Sequence, residues 1–459
     1  MAWSRKQFST LFVVSITAFM GTFLVSAINI ALPSIEKSFS LTAIELSWIV
    51  TAYLLATAMF LLPVGKWGDM KGNTRLFKIG LVIFTIASAV CAFAPNGTWL
   101  IAARFLQGVG SAFSNTTGNA ILVSSFPPRN RGQVIGISVS SVYAGLALGP
   151  FIGGIIIQQF GWQTLFYIAV VLGVTCIAVA TMFLRGEQAI AHETSKLSMG
   201  GTFVFMIGLA ALVYGSSLIP SWSGWALMFL GIVCLVAFWM METRSSNPVF
   251  DTKLFTRNKL FAYSNVAALI NYTATFAIVF FLSLFLQKIK GLSPREAGGI
   301  IIAQPVMMAF FSPMVGKLSD RVQPRYLATI GMSMCAIGLA ALGLVNSETP
   351  IAIIVAILVW EGLGFAFFSS PNMNTIMSSV ERTQYGQASG IAASMRVFGQ
   401  IVSMIIVTLF IAALFQGKSV NAVSDTVFMN VMKWGFLTFA MINLVGIYFS
   451  FTRGNVKRG

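Results

Sequence analysis

The sequence predicts an all-α polytopic membrane protein: fourteen transmembrane helices forming two six-helix bundles with two extra helices between them. Three observations predict it. Of 459 residues, 57% are hydrophobic and only 9% charged, with a mean hydropathy of +0.84, whereas soluble domains carry about 25% charged residues. Apolar runs recur along the whole chain, each near the ~20 residues that a bilayer-crossing helix needs. A register of Gly, Gln and Ser positions in the first half also returns 254 residues later in the second. A soluble enzyme, a disordered chain and a disulfide-stapled secreted domain are all excluded.

The first apolar run, residues 8–32, follows Arg5 and Lys6. It is longer than the ~7–15-residue core of a signal peptide, so it reads as an uncleaved span. Residues 47–64, 77–94, 99–123, 134–157 and 165–184 complete a first group of six. Residues 201–219 and 225–241 are the two extra helices. A second group follows at 260–286, 297–315, 326–345, 351–377, 391–414 and 431–451. All are longer than the ~9–11 residues of a barrel strand. The expected organisation is an N-terminal bundle at 1–185, a linker with two helices at 186–258, and a C-terminal bundle at 259–459.

The net charge of +16 invites a nucleic-acid reading, but the positions of the positive residues argue against one. With the N-terminus in the cytoplasm and each span reversing the side, 21 of the 29 Lys and Arg fall in cytoplasmic segments and six outside; Arg104 and Arg396 alone lie within spans. That is the bias by which membrane proteins fix orientation. It predicts a bacterial-type cytoplasmic membrane protein with both termini inside. Cys91, Cys176, Cys234 and Cys335 sit singly in apolar runs, and His192 is the one histidine. Neither disulfides, a metal centre nor a cofactor is expected.

Two loops share a pattern, Gly65-Lys-Trp-Gly-Asp69 and Gly316-Lys-Leu-Ser-Asp320-Arg321. Gly132, Gln133, Gly136, Ile137, Ser140 and Gly145 recur as Gly386, Gln387, Gly390, Ile391, Ser394 and Gly399, and the stretch from Gln107 to Phe113 recurs from Glu361 to Phe367. Eight spans separate the two Asp loops, so both face the same side. Parallel repeats of this kind are a transporter architecture, with a substrate site near the midplane between the halves. A membrane-embedded enzyme would need paired acids, a nucleophile with its base, or a ligand cluster at membrane depth, and the sequence has none of these.

These residues resemble the fourteen-helix drug–proton antiporters of the major facilitator superfamily. Gly65, Asp69, Gly72 and Arg75 resemble its signature between the second and third helices, echoed by Gly316, Asp320, Arg321 and Arg325. Arg104, Gln107, Gly108 and Gly110 resemble its fourth-helix motif. Gly145, Gly149, Pro150, Gly153 and Gly154 resemble its antiporter-type fifth-helix motif, and Asn29-Ile-Ala-Leu-Pro33 the end of a first-helix motif. Where that motif carries an acid the chain has Leu24, and Asn73 and Thr74 replace a usual basic pair. The resemblance implies proton-coupled export of small amphipathic compounds by a monomer, with Arg104 tied to coupling and Asp69, Arg75, Asp320 and Arg321 forming gating loops. The rival reading is a lipid or metabolite carrier of the same fold without proton coupling.

Charges within spans are costly, about 2.5–3.5 kcal/mol each on insertion scales. Glu361 lies about 16 Å into its span at 1.5 Å per residue, and its repeat partner is the neutral Gln107. It reads either as a proton-exchange site or as a static polar residue. Arg396 stands at similar depth, where a Glu361–Arg396 pair is one option. Arg104 either takes part in coupling or satisfies backbone carbonyls. Asn29, Asn115, Asn119, Asn265, Asn271, Tyr272, Gln304 and Asn372 are mid-span polar groups, candidates for a substrate cavity or for hydrogen bonds between helices.

Overall fold

Caps and breakers written in the sequence set where the helices start and stop. The computed structural model describes residues 3–127, 131–184, 199–245, 252–381 and 384–456, and among them it contains helices and no strand. The first lobe comprises α1 (Arg5–Phe39), α2 (Ala43–Lys71), α3 (Asn73–Ala92), α4 (Gly97–Ser125), α5 (Arg131–Phe160) and α6 (Gln163–Phe183). Then come α7 (Met199–Ser217), α8 (Trp222–Arg244) and the short α9 (Thr252–Arg257). The second lobe comprises α10 (Lys259–Thr275), α11 (Ala277–Lys288), α12 (Pro294–Ile301), α13 (Ala303–Ser319), α14 (Pro324–Gly343), α15 (Ile351–Ser378), α16 (Tyr385–Phe415) and α17 (Asp425–Thr452). Counting α10–α11 and α12–α13 as one span each gives fourteen.

Capping boxes, in which the N-cap side chain and the third helical residue bond each other's backbone, start three of these rods. Ser4 pairs with Gln7, Thr42 with Glu45 and Ser293 with Glu296. Glu45 therefore serves as a cap, its Oε2 accepting from Thr42 N at 2.8 Å. The ninth and tenth spans, expected to be continuous, are each broken. Pro305 has no N–H to offer Ile301, so the ladder parts between α12 and α13. At the α10–α11 junction the Thr273 and Thr275 hydroxyls bond the Leu269 and Asn271 carbonyls at 2.9 and 2.8 Å, back-bonding that bends helices.

The two lobes pack by the same scheme. In the first, α1 lies against α5, α6 and α4; α4 is held between α2 and α3; and α3 meets α6. In the second, α10 lies against α16, α17 and α15; α15 is held between α13 and α14; and α14 meets α17. The repeated glycines are the points of closest approach, since a missing side chain lets backbones touch. A Cβ at Gly145 would lie 2.5 Å from Phe19 O of α1; one at Gly399 would lie 2.6 Å from Leu269 O of α10. Gly80 and Gly110 join α3 to α4, and Gly331 and Gly364 join α14 to α15 in the same way.

Between lobes the contacts also exchange: α5 packs on α12 and α13, α2 packs on α16, and α1 meets α11. α7 seats against α2 and α16, and α8 against α7. The outer face of α8 is apolar and exposed, with Trp222, Trp225, Phe229, Ile232 and Val236, as suits a helix facing lipid.

Hydrogen bonds that join the lobes gather at one end, where α1 finishes and α2 begins. Ser283 Oγ donates to Asn29 O at 2.5 Å and Gln287 Nε2 to Ile30 O at 3.0 Å. Asn421 N donates to Glu36 Oε1 at 2.9 Å, Ala43 N to Lys418 O at 3.1 Å, and Ser47 and Thr408 hydroxyls meet at 3.3 Å. At the opposite end, that of Asp320, Cβ positions at the repeat-related Gly136 and Gly390 meet nothing within 4 Å. Among the described residues the lobes are thus locked together at the Glu36 end.

Candidate functional site

Arg104, two turns into α4, is wholly buried. Its Nε donates to Ile49 O of α2 at 3.1 Å, one terminal nitrogen donates to Gln107 Oε1, and its guanidinium lies 4.4 Å over the Tyr53 ring. Gln107 Nε2 passes the chain of bonds to Ser88 Oγ of α3 at 2.7 Å, and the Tyr53 hydroxyl meets Ser111 Oγ at 2.6 Å. This cation is held by a carbonyl, an amide and an aromatic face, without a carboxylate. Its second terminal nitrogen has no partner.

Arg396, on α16, is only half-buried and has no hydrogen bond or ion pair among the described residues. Its helix packs on α2, which carries Tyr53, and on α10, where a Cβ at Gly399, one turn on from Arg396, would stand 2.8 Å from Tyr272 Cβ; Tyr272 and Tyr143 of α5 pack into one apolar group. Tyr272 meets Phe365 edge-on at 5.6 Å, and Met308 joins the same apolar group. Helices of both lobes therefore build a mid-depth seam of aromatic rings with two arginines beside it.

Glu361 stands elsewhere. It is fully buried, and neither carboxylate oxygen has a hydrogen-bond partner. Its side chain lies against Gly338 and Cys335 of α14, where a Cβ at Gly338 would come within 2.8 Å of its carboxyl carbon. The carboxyl thus points into the C-terminal bundle, with Cys335 between it and the apolar group of Met308, Phe365, Tyr143 and Tyr272, and the optional Glu361–Arg396 pair does not form among the described residues. The physical reason is geometric: the glycine at 338 opens a slot between α14 and α15, while Arg396 on α16 faces α2 and α10.

Several amide candidates are spent on helix packing. Asn372 Nδ2 donates to Ser264 O at 3.1 Å and its Oδ1 accepts from Arg453 at 2.5 Å, all inside the second lobe. Asn29 and Asn265 bond Val25 O and Phe261 O of their own helices at 2.9 Å. Asn115 bonds Ser111 Oγ at 3.0 Å, while Asn119 is half-buried. Gln304 and Asn271 are buried, and both side-chain atoms of Asn271 lack a normal partner. Of the eight, Tyr272 lies in the aromatic seam, and Asn115 reaches its edge through Ser111, which bonds the Tyr53 hydroxyl.

On α5, Gly145, Gly149 and Gly153 lie against α1 at Phe19–Phe23, Phe23–Ala27 and Ala27. Gly154 instead meets the other lobe, where a Cβ would stand 3.0 Å from the Pro294 carbonyl carbon; Pro150 presents its own carbonyl to Gly298 of α12. In the gating loops Arg75, Asp320 and Arg321 are exposed. The side chains of Asp69 and Arg131, and the whole of Arg382 and His192, lie outside the described residues.

Glu36, Arg453 and Tyr53 are among the buried side chains with polar groups that the sequence does not single out. The apolar run ends at residue 32, short of Glu36, yet α1 continues past Pro33 to Phe39 and buries Glu36 between the lobes. Arg453 counted among loop charges but is buried, with two guanidinium nitrogens unpartnered. Tyr53 read as one more apolar residue; its nearness to Arg104 required the α2–α4 packing.

Comparison with known proteins fits this architecture. The family model described as Major Facilitator Superfamily matches residues 12–197, 191–404 and 265–456. Riboflavin transporter RibZ of Clostridioides difficile is 31% identical over 395 residues, covering 85% of each chain. Multidrug resistance protein Stp of Mycobacterium tuberculosis is 28% identical over 418 residues, covering 89% of this chain and 77% of that protein. A solved bacterial homologue of the human lysosomal transporter Spinster, in an inward-facing and unoccupied conformation, superposes with a TM-score of 0.68 at 14% identity over 98% of both chains. With two six-helix lobes packed alike and fourteen spans, the chain belongs to the Major Facilitator Superfamily and is a multi-pass membrane transporter, not an enzyme.

Proposed function

We propose that the chain exports small amphipathic compounds across a cytoplasmic membrane by alternating access, as a monomer, with 1–185 and 259–459 rocking as units and 186–258 tethering them. The observation that carries this reading is closure at the Glu36 end, where Ser283 and Asn421 of the second lobe hydrogen-bond Asn29 and Glu36 of the first. The bias of Lys and Arg makes the Asp320 end cytoplasmic, so this state loads from inside. Asp69, Arg75, Asp320 and Arg321 would engage as latches when that end closes, and Arg75 and Asp320 are exposed at that end. The name of Stp, a multidrug resistance protein, supports export of foreign compounds.

Proton coupling belongs to the same proposal, with Glu361 as the exchange site and the Arg104–Gln107–Ser88 chain responding to substrate. A proton at Glu361 acts on α14–α15 packing, since the carboxyl lies against Gly338, rather than by competing with substrate in the seam. The test is substrate-driven proton movement in proteoliposomes, using amphipathic dyes and riboflavin, for wild type and Glu361→Gln. Coupled counterflow in wild type, lost in the variant, is the expected result; unchanged coupling in the variant removes Glu361 from the mechanism. A carrier without proton coupling is the second reading, favoured by the buried Leu24 where an acid is usual and by the riboflavin transporter relative. Transport that never moves protons would select it.

A further inference from the structure

Among the described residues the seam between the lobes holds two arginines, and the nearest acid, Glu361, is set behind Cys335. Arg396 lies about 16 Å along α16 at 1.5 Å per residue, a depth at which an unpaired cation is costly. Its guanidinium is accessible, bonded to nothing among the described residues, and within electrostatic reach of Tyr53 and Tyr272 from opposite lobes. Arg104 stands on the other side of Tyr53. Of the carboxylates described within these helices, Glu361 is turned toward α14, Glu36 is bonded to Asn421 at the locked end, Glu45 and Glu296 cap helices, and the buried Glu242 belongs to the last turn of α8. The repeat position of Arg396 in the first lobe is Val142, so the fold does not require a cation there.

We propose that Arg396 is a substrate-binding residue and that the transported compound is an aromatic organic anion, its carboxylate held by Arg396 and its ring lodged among Tyr53, Tyr143, Tyr272 and Phe365. This rests on the export reading and narrows its substrate class. A guanidinium presents paired N–H donors that match a carboxylate in bidentate geometry. The phenols add hydroxyl donors and flat apolar faces, which suit an aromatic body. A monocationic compound would meet two like charges in the same seam, and repulsion of that kind selects against it.

The test uses three compounds of one shape and different charge: 1-naphthoate, 1-naphthylmethanol and 1-naphthylmethylammonium. Binding is measured by tryptophan quenching of the purified full chain in nanodiscs of neutral phosphatidylcholine. Wild type is expected to bind the anion at least tenfold more tightly than the alcohol, a difference of about 1.4 kcal/mol, and the cation most weakly. Arg396→Gln should lose that preference while keeping its affinity for the alcohol, which shows that the seam is intact; Arg396→Lys should keep part of it. Equal affinities in wild type, absence of anion binding, or an unchanged preference in Arg396→Gln overturns the proposal. Repeating the titration with phosphatidylglycerol in the nanodisc separates two sources of anion: competition identifies a lipid headgroup as the natural occupant, and no competition identifies a free anion. Transport of the alcohol or cation without anion preference would remove the substrate class and leave export standing, whereas no transport of any compound would remove export itself.

Discussion

If the lobes are locked by backbone contact between α5 and α12, one methyl group there should open them. Gly298 is buried against Pro150, and a Cβ built on it would overlap the Pro150 carbonyl oxygen and stand 2.8 Å from its carbon. Carbon pairs rest about 3.5–4.0 Å apart, so Gly298→Ala forces the two helices apart by about 1 Å. Overpacking of this size costs about 1–3 kcal/mol, and it is imposed only on the state in which α5 and α12 touch. The equilibrium between the two access states should then move about 5- to 150-fold. The assay is pulsed electron-spin distance measurement on a chain whose four native cysteines are replaced by serine. One label pair sits on the exposed Lys37 and Lys418 and a second on Lys71 and Arg321. The variant should gain a longer population at the first pair and a shorter one at the second. A lower Tm with both distributions unchanged would refute the reasoning, because the contact would then be packing common to every state.

Further expectations concern the buried polar groups. Glu36→Ala removes the acceptor for Asn421 N and should weaken the same closure by about 1–3 kcal/mol, whereas Glu36→Gln, which retains an amide oxygen, should leave the Lys37–Lys418 distances near wild type. Asn372→Ala deprives the buried Arg453 of its shortest hydrogen bond and should lower Tm by several degrees, since an under-solvated buried charge costs about 1–3 kcal/mol or more. Adding Arg453→Leu should restore most of the loss, and a transport defect without a Tm change would instead make Asn372 a substrate ligand. Arg104→Lys keeps the charge but cannot reach Ile49 O, Gln107 and the Tyr53 face together. It should reduce transport at least tenfold while Arg104→Lys protein still assembles in the membrane; full activity would show that charge alone suffices.

Much of this molecule was legible in its sequence. Fourteen apolar runs gave the spans because bilayer thickness fixes how many apolar residues a helix must offer, and α6, α14 and α15 fall within one or two residues of those runs. The glycine register gave the duplication because a glycine at a helix crossing cannot be replaced without separating the backbones, as Gly145 and Gly399 demonstrate. What failed were the inferences about side-chain direction. Depth along a helix is a one-dimensional property that a sequence can approximate; azimuth is not, and Glu361 and Arg396 have different neighbours.

Composition, periodicity and repetition therefore determined by themselves the membrane as solvent, the number of helices and their two-lobed kinship, since each follows from how much apolar surface a segment must bury. Only tertiary packing decided that Glu36 and Arg453 are buried, that the α10–α11 and α12–α13 spans break, and that Arg396 rather than Glu361 reaches the seam. A polar group's surroundings in a bundle come from the neighbouring helices, whose positions no local pattern in its own helix records.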